Sequence, residues 1–279
     1  MIGSLSGALS GSPPSASRGL IGGRLPSVIV NLDPYLLAIR SDSKKMARTA
    51  ANGDLSAPVE SCPGWDLRKL VSHTGTVQRW ATKAIDSGVA PTTVEYSSPA
   101  PNASGDELSA WLLDGAETLI TTLGTKHPED PTWHPFEPEQ KAWVWARRQS
   151  QETMIHRWDA EMTASGTSSL ESANAAEGIG EFFDLALPRI FAREASVVPS
   201  PSLHVQCTDD GLPDGAGEWI VWNEGGEYRM ATEHRNGDAA LRGFAADLLL
   251  VLMGRSDRGS INVVGDTAAC DAWLHLPGF

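Results

Sequence analysis

The stretch LRKLVSHTGTVQRWATKAI, residues 67–85, carries Leu67, Leu70, Val71, Val77, Trp80, Ala81 and Ala84 at intervals of three and four. That spacing puts the apolar side chains on one stripe of an α-helix, and such a stripe must be buried against other elements. Three further segments read the same way. Residues from about Asn31 to Ala51 carry Leu36, Leu37, Ile39 and Met46; DELSAWLLDGAETLITTL spans 106–123; and the longest helical pattern runs from about Pro138 to Thr163. The Pro63–Gly64 turn precedes the 67–85 helix, and Asp66 is placed to cap its N-terminus. Loops rich in Pro, Ser and Thr separate the segments. Four long helices joined by loops predict a helix bundle over residues 31–170.

The texture then changes. Residues 171–199 read as a connecting helix, and from residue 200 the runs LHVQCTD, GEWIVWN and EYRMATEH are short, β-branched or aromatic, with turn signals such as NEGGE between them. DAALRGFAADLLLVLMGR reads as one buried helix, SINVVGD as a strand and TAACDAWLHL as a short terminal helix. The predicted fold class is α+β: an N-terminal four-helix bundle followed by a small α+β domain over 200–279. The Gly-, Ser- and Pro-rich residues 1–30 read as a disordered leader.

A net charge of −13 argues against a nucleic-acid binder, which needs a basic face. It leaves room for a small-molecule substrate, even an anionic one, because a single arginine can oppose the global balance locally. Cys62, Cys207 and Cys270 are odd in number and lack CxxC spacing, which fits a reducing cytoplasm and excludes a thiolate zinc cluster by count. No run approaches the roughly 18 apolar residues of a membrane helix.

Within ETMIHRWDA, Glu152 and His156 stand at i and i+4 and leave one face of the fourth helix together. Trp145 and Gln149 lie on that same face, so either could line a pocket; packing is the simpler role for Trp145. Two such ligands can reach one divalent ion without backbone strain, yet an ordinary solvated face is the commoner meaning of that spacing by itself. His127 and His134 lie in a Pro-rich loop, and His204, His234 and His275 in the second domain. His73 is in the middle of another bundle helix, and spacing leaves it open as a third ligand or a hydrogen-bonded core residue.

Here a resemblance adds what spacing does not. VESCPGWDLRKLVSHTGTVQRW, the helix bearing Glu152 and HRWD, and LRGFAADLLLVLMGRSDRGSINVVGD together resemble the mycothiol-dependent maleylpyruvate isomerase family, whose N-terminal domain is a DinB-like four-helix bundle. The resemblance implies that His73, Glu152 and His156 are metal ligands and that mycothiol is the thiol cofactor or co-substrate. It also implies a catalytic and substrate-binding role for Arg255, gripping a substrate carboxylate; neutralising a helix C-terminus is the plainer alternative for that arginine. Asp159 is placed to orient His156, or to pair with a neighbouring arginine. Trp65 is a ligand-stacking residue or a core anchor, and Cys62 a reactive or merely buried thiol. HTG, in place of an apolar residue after the histidine, departs from the family pattern without touching a ligand.

A site of two histidines and one glutamate leaves coordination positions open for a thiol, whose pKa the metal would depress. The expected activity is that of a metal- and thiol-dependent S-transferase or isomerase acting on a small electrophile that carries a carboxylate. Zinc is the expected ion; manganese, nickel and iron accept the same donors. A thiol-independent metal hydrolase or lyase, and a non-catalytic binding module, are the competing readings.

Overall fold

The computed structural model describes residues 31–91, 99, 102–136, 138–194, 197–213 and 216–276. The leader reading for residues 1–30 lies outside them. The chain divides into two compact units, the first ending at Ser169 and the second beginning at Leu170.

The first unit is built from α1 (Asp33–Asn52), α2 (Leu67–Ser87), α3 (Gly105–Gly124) and α4 (Ala142–Ser165). Asp66 caps α2 as its position predicts, accepting the Lys69 N–H at 2.8 Å. Just before it, Gly64 adopts φ +81°, a left-handed conformation that turns the chain into the helix. A reciprocal capping box between Ser104 and Glu107 starts α3. The helix predicted from Pro138 begins four residues later, at Ala142, because Lys141 is extended and bridges to Pro131.

Two apolar clusters fill the bundle. One centres on Met46, Leu67, Leu70, Leu108 and Leu112, the other on Ile39, Trp80, Leu119, Leu123 and Trp145. Gly75 lets α2 and α3 approach: a Cβ there would lie 2.3 Å from the Trp111 ring, which in turn stacks under the Arg79 guanidinium at 4.0 Å. Helix α4 is buried on nearly every side, yet it carries Arg147, Gln149, Ser150, Gln151, Glu152, Thr153, His156, Arg157 and Asp159 inward or between helices. Buried polar groups at that density need partners. Arg157 finds them in Asp42 of α1 (3.1 Å), Glu161 (2.8 Å), the Ser168 hydroxyl (2.9 Å) and the Ser169 carbonyl (2.8 Å).

The second unit contains α5 (Ser172–Glu181), a π-helical turn (Phe182–Ala186), α6 (Leu187–Glu194), β1 (Leu203–Cys207), β2 (Glu218–Glu224), β3 (Glu227–Ala231), β4 (Ala239–Gly243), α7 (Ala245–Leu252), a 3₁₀ turn (Arg258–Ser260), β5 (Asn262–Gly265) and α8 (Thr267–Leu274). The π turn ends two residues before Pro188, which cannot donate to the carbonyl one turn back. The sheet order is β3-β2-β1-β4-β5, with β1 and β4 parallel and the other pairs antiparallel.

Here the structure corrects the sequence reading: AALRG, expected inside a long helix, is strand β4. Its backbone is hydrogen-bonded on both sides, to β1 and to β5, and Gly243 admits Ile261 so closely that a Cβ would meet it at 3.0 Å. Pairing on two edges outweighs the helical propensity of Ala and Leu, and the helix starts only after Phe244. The 171–199 segment is likewise less of a bare connector than its sequence implies, since α5 packs on α7 within the same unit. Among the described residues no helix is long and apolar enough to cross a membrane.

Candidate metal centre

Helices α2 and α4 bring His73, Glu152 and His156 together in the bundle. Glu152 Oε1 lies 3.2 Å from His73 Nε2 and 3.2 Å from His156 Nε2. The three donor atoms all fall within 4.8 Å of one another. Glu152 is 3 % exposed and His156 5 %, while His73 is partly open. The other glutamate oxygen, Oε2, accepts from Arg148 one turn earlier on α4. The carboxylate therefore has one oxygen tied to a guanidinium and the other turned to both imidazoles.

On its far side, the His156 ring is held by Asp159, with Nδ1 3.0 Å from Oδ2. Ser61 donates to Asp159 Oδ1 at 2.7 Å, and the Cys62 thiol lies 3.9 Å from Oδ2. With Nδ1 bound to the carboxylate, Nε2 is the nitrogen that faces Glu152, the arrangement in which a carboxylate orients a histidine ligand. Trp65 closes the edge of the group. Its ring lies 4.7 Å from that of His73 and 6.3 Å from that of His156, with Lys69 Nζ 5.1 Å above it. The residue that ends the PGW turn thus touches the constellation itself.

The electrostatics follow from burial and partners. Burial alone would raise the Glu152 carboxyl, but Arg148 and His156 outweigh it and hold the group well below the usual carboxylate range. Burial alone would lower His156; the Glu152 and Asp159 carboxylates overcome it and push the imidazole up to about 9. In this protonation state the proton on His156 does what a cation would do, compensating buried carboxylate charge.

The donor set fits a divalent transition ion. Ligand bonds of about 2.1 Å in a tetrahedron put neighbouring donors about 3.4 Å apart, and the observed oxygen–nitrogen separations are 3.2 Å. Two imidazoles and one carboxylate suit zinc, and also iron, nickel or manganese. Cys62, His156 and Asp159 form a second, overlapping group of donors, which shares the same histidine.

The remaining sequence candidates are placed differently. Trp145, 1 % exposed, sits in an aromatic cluster with Trp80 and Phe136, its indole N–H donating to the Trp133 carbonyl at 2.8 Å. Gln149 is buried, and among the described residues its Oε1 has no hydrogen-bond partner. Arg255 belongs to the second unit, just past α7, and donates to the Met253 carbonyl at 2.8 Å. Arg148 is the contact that sequence reasoning missed; its i,i+4 spacing to Glu152 is the signal that could have found it.

A DinB-like bundle with an inward His–Glu–His constellation, followed by a small α+β unit, defines the class of protein. Residues 36–161 match the mycothiol maleylpyruvate isomerase N-terminal domain, and residues 174–272 match the MDMPI C-terminal domain. The chain belongs to the mycothiol-dependent maleylpyruvate isomerase family. A crystal structure of the mycothiol-dependent maleylpyruvate isomerase is similar with a TM-score of 0.54 at 12 % identity, covering 84 % of this chain and 93 % of that one. A histidine-to-alanine mutant of that enzyme matches with a TM-score of 0.53, at the same identity and coverage. At such identity the likeness is one of fold. By sequence, no curated protein matches.

Proposed function

We propose that the chain is a metal-dependent enzyme that uses mycothiol to transform a small, carboxylate-bearing electrophile, as an isomerase or an S-transferase. The observation that carries this reading is the convergence of His73 Nε2 and His156 Nε2 on one oxygen of Glu152. These three residues are the ligands, and zinc is the ion. When bound, such an ion supplies Lewis acidity that makes a thiol available as thiolate at neutral pH.

The protein's own groups do the rest. Asp159 holds the His156 Nδ1–H and so keeps Nε2 free as a donor. Arg148 keeps Glu152 ionised and fixes which oxygen it offers. Gln149, one turn before Thr153, offers a buried carbonyl oxygen to a donor group on a ligand. Trp145 holds the helix wall behind it. Arg255 grips the substrate carboxylate, where a guanidinium can make two parallel hydrogen bonds. Mycothiol, when bound, would supply a nucleophilic sulfur that is returned unchanged in an isomerase and retained in the product in a transferase. In this reading residues 31–170 form the metal-binding domain and 200–279 a small α+β domain.

Calorimetric titration of the zinc-loaded protein with mycothiol, repeated on His73→Ala, tests the proposal. Saturable binding to the wild type that disappears in the variant, together with loss of zinc by elemental analysis, is expected. A variant that keeps its zinc content refutes the ligand assignment, and a fully metallated wild type that ignores mycothiol in the presence of electrophile refutes the thiol.

A further inference from the structure

A second His–Glu–His group lies in the α+β unit, on elements the bundle site does not use. Strands β1 and β2 pair with His204 opposite Ile220 and Gln206 opposite Glu218, so His204, Gln206 and Glu218 share one face of the sheet. Gln206 donates its side-chain amide to Glu218 Oε1 at 2.8 Å, which turns Oε2 towards the histidines. Oε2 lies 3.4 Å from His204 Nε2 and 2.7 Å from Nδ1 of His234, which comes from the segment between β3 and β4. The two rings meet edge to face, 5.3 Å apart.

The independent observation is His204 itself. It is 2 % exposed, and its Nε2 is buried with no hydrogen-bond partner among the described residues. A buried imidazole nitrogen 3.4 Å from a carboxylate oxygen, beside a second imidazole and with no hydrogen bond of its own, can offer its lone pair to a cation. The segment carrying His234 is also held down over it. Ser202 donates to Asp238, and Gly237 lies so close that a Cβ would approach the His204 backbone nitrogen to 3.0 Å.

We infer that His204, Glu218 and His234 form a second site for a divalent transition ion of the zinc type. The Glu218–His204 separation already matches the spacing of two ligands on such an ion. The Glu218–His234 pair must open by a few tenths of an ångström from its hydrogen-bonded distance, and the His234 side chain, 62 % exposed, is free to do so. One carboxylate and two imidazoles exclude calcium and magnesium, which require more oxygens. Arg242, paired opposite Gln206 on β4, opposes a cation on this face. The bound ion would tie the segment between β3 and β4 to β1 and β2. This site stands independently of the bundle site.

The test is zinc titration of the chelator-stripped full chain against a competing chromogenic chelator, for wild type, His234→Ala, Glu218→Gln and His73→Ala. Wild type should bind one equivalent more than His234→Ala and Glu218→Gln, and zinc should raise the melting temperature of the second unit in wild type and His73→Ala but not in the other two. His234 is exposed, so its variant keeps the fold, which circular dichroism checks. His234→Ala and Glu218→Gln that retain the wild-type equivalents overturn the site, as does a wild type that binds no more zinc than these variants. His73→Ala reports separately on the bundle: its loss of an equivalent that the other two retain keeps the two assignments distinct.

Discussion

Replacing Asp159 by alanine removes a 1 %-exposed carboxylate that touches His156 Nδ1, the Ser61 hydroxyl and the Cys62 thiol. None of these is a proposed open position, so the effect on zinc passes through His156. Loss of a carboxylate that orients a histidine ligand costs about 10–100-fold in metal affinity, or roughly 1.4–2.7 kcal/mol. The same carboxylate also helps hold the proton on His156 in the metal-free protein, which zinc must displace. Its removal makes that displacement easier, so part of the loss is hidden at pH 7 and is visible to within about a factor of two at about pH 9, where the wild-type imidazole is half deprotonated. Asp159→Asn, which can still accept from Nδ1–H but carries no charge, should fall at the small end. Competition with a chromogenic chelator at both pH values measures this. An Asp159→Ala protein with wild-type zinc affinity at the higher pH would show that the His156 ring is not set by Asp159, and the argument for the ligand geometry would fail with it.

Zinc affinity of the wild type should strengthen by about tenfold per pH unit from neutrality up to about pH 9 and then level off, since one proton leaves His156 on binding; calorimetry in buffers of different ionisation enthalpy reads the proton directly. The metal-free protein behaves in the opposite sense. Because the folded pKa of His156 lies above the ordinary 6.5, its contribution to stability is complete below about 6.5 and is lost as pH rises through about 9, which urea midpoints across that range would register. Arg157→Met leaves Asp42 buried without its main partner and should cost about 3–5 kcal/mol, at the lower end because burial already raises the Asp42 carboxyl and eases its protonation; a loss near zero in denaturant unfolding would contradict the buried network. Gly75→Ala should destabilise by about 1–3 kcal/mol, since the Trp111 ring must shift to admit the methyl group, and tryptophan fluorescence should report the displaced ring.

The bundle was legible where local chemistry and long-range packing agree. The stripe from Leu67 to Ala84 and the Asp66 cap both declare α2, and the structure confirms each. Strand β4 was not legible, because Ala239–Gly243 has no strand signature of its own and is defined by the neighbours on either side. At the candidate site, the i,i+4 spacing of Glu152 and His156 placed them on one face, but nothing local could say that His73 would lie opposite. Arg148 was one arginine among several until Glu152 Oε2 gave it a partner. Trp65 follows the turn at Gly64, which the sequence declares, but its contact with the His73 ring depends on how the turn meets the helix.

The central pairing of β1 with β4 has a consequence for how the second unit forms. The hairpin β2–β3 closes through Gly225 and Gly226, both at positive φ, and joins residues adjacent in sequence. The β1–β4 ladder joins Leu203 to Ala239, across the whole length of that hairpin, and no direct connection links the two strands. Local closure is fast and distant closure slow, so the hairpin should be in place before the centre of the sheet exists. In hydrogen-exchange pulse labelling during refolding, amides of β2 and β3 should gain protection ahead of those in β4 and β5. The order of assembly would then run from one edge of the sheet towards the other, and a mutation in the Gly225–Gly226 turn would slow the folding of strands it never touches.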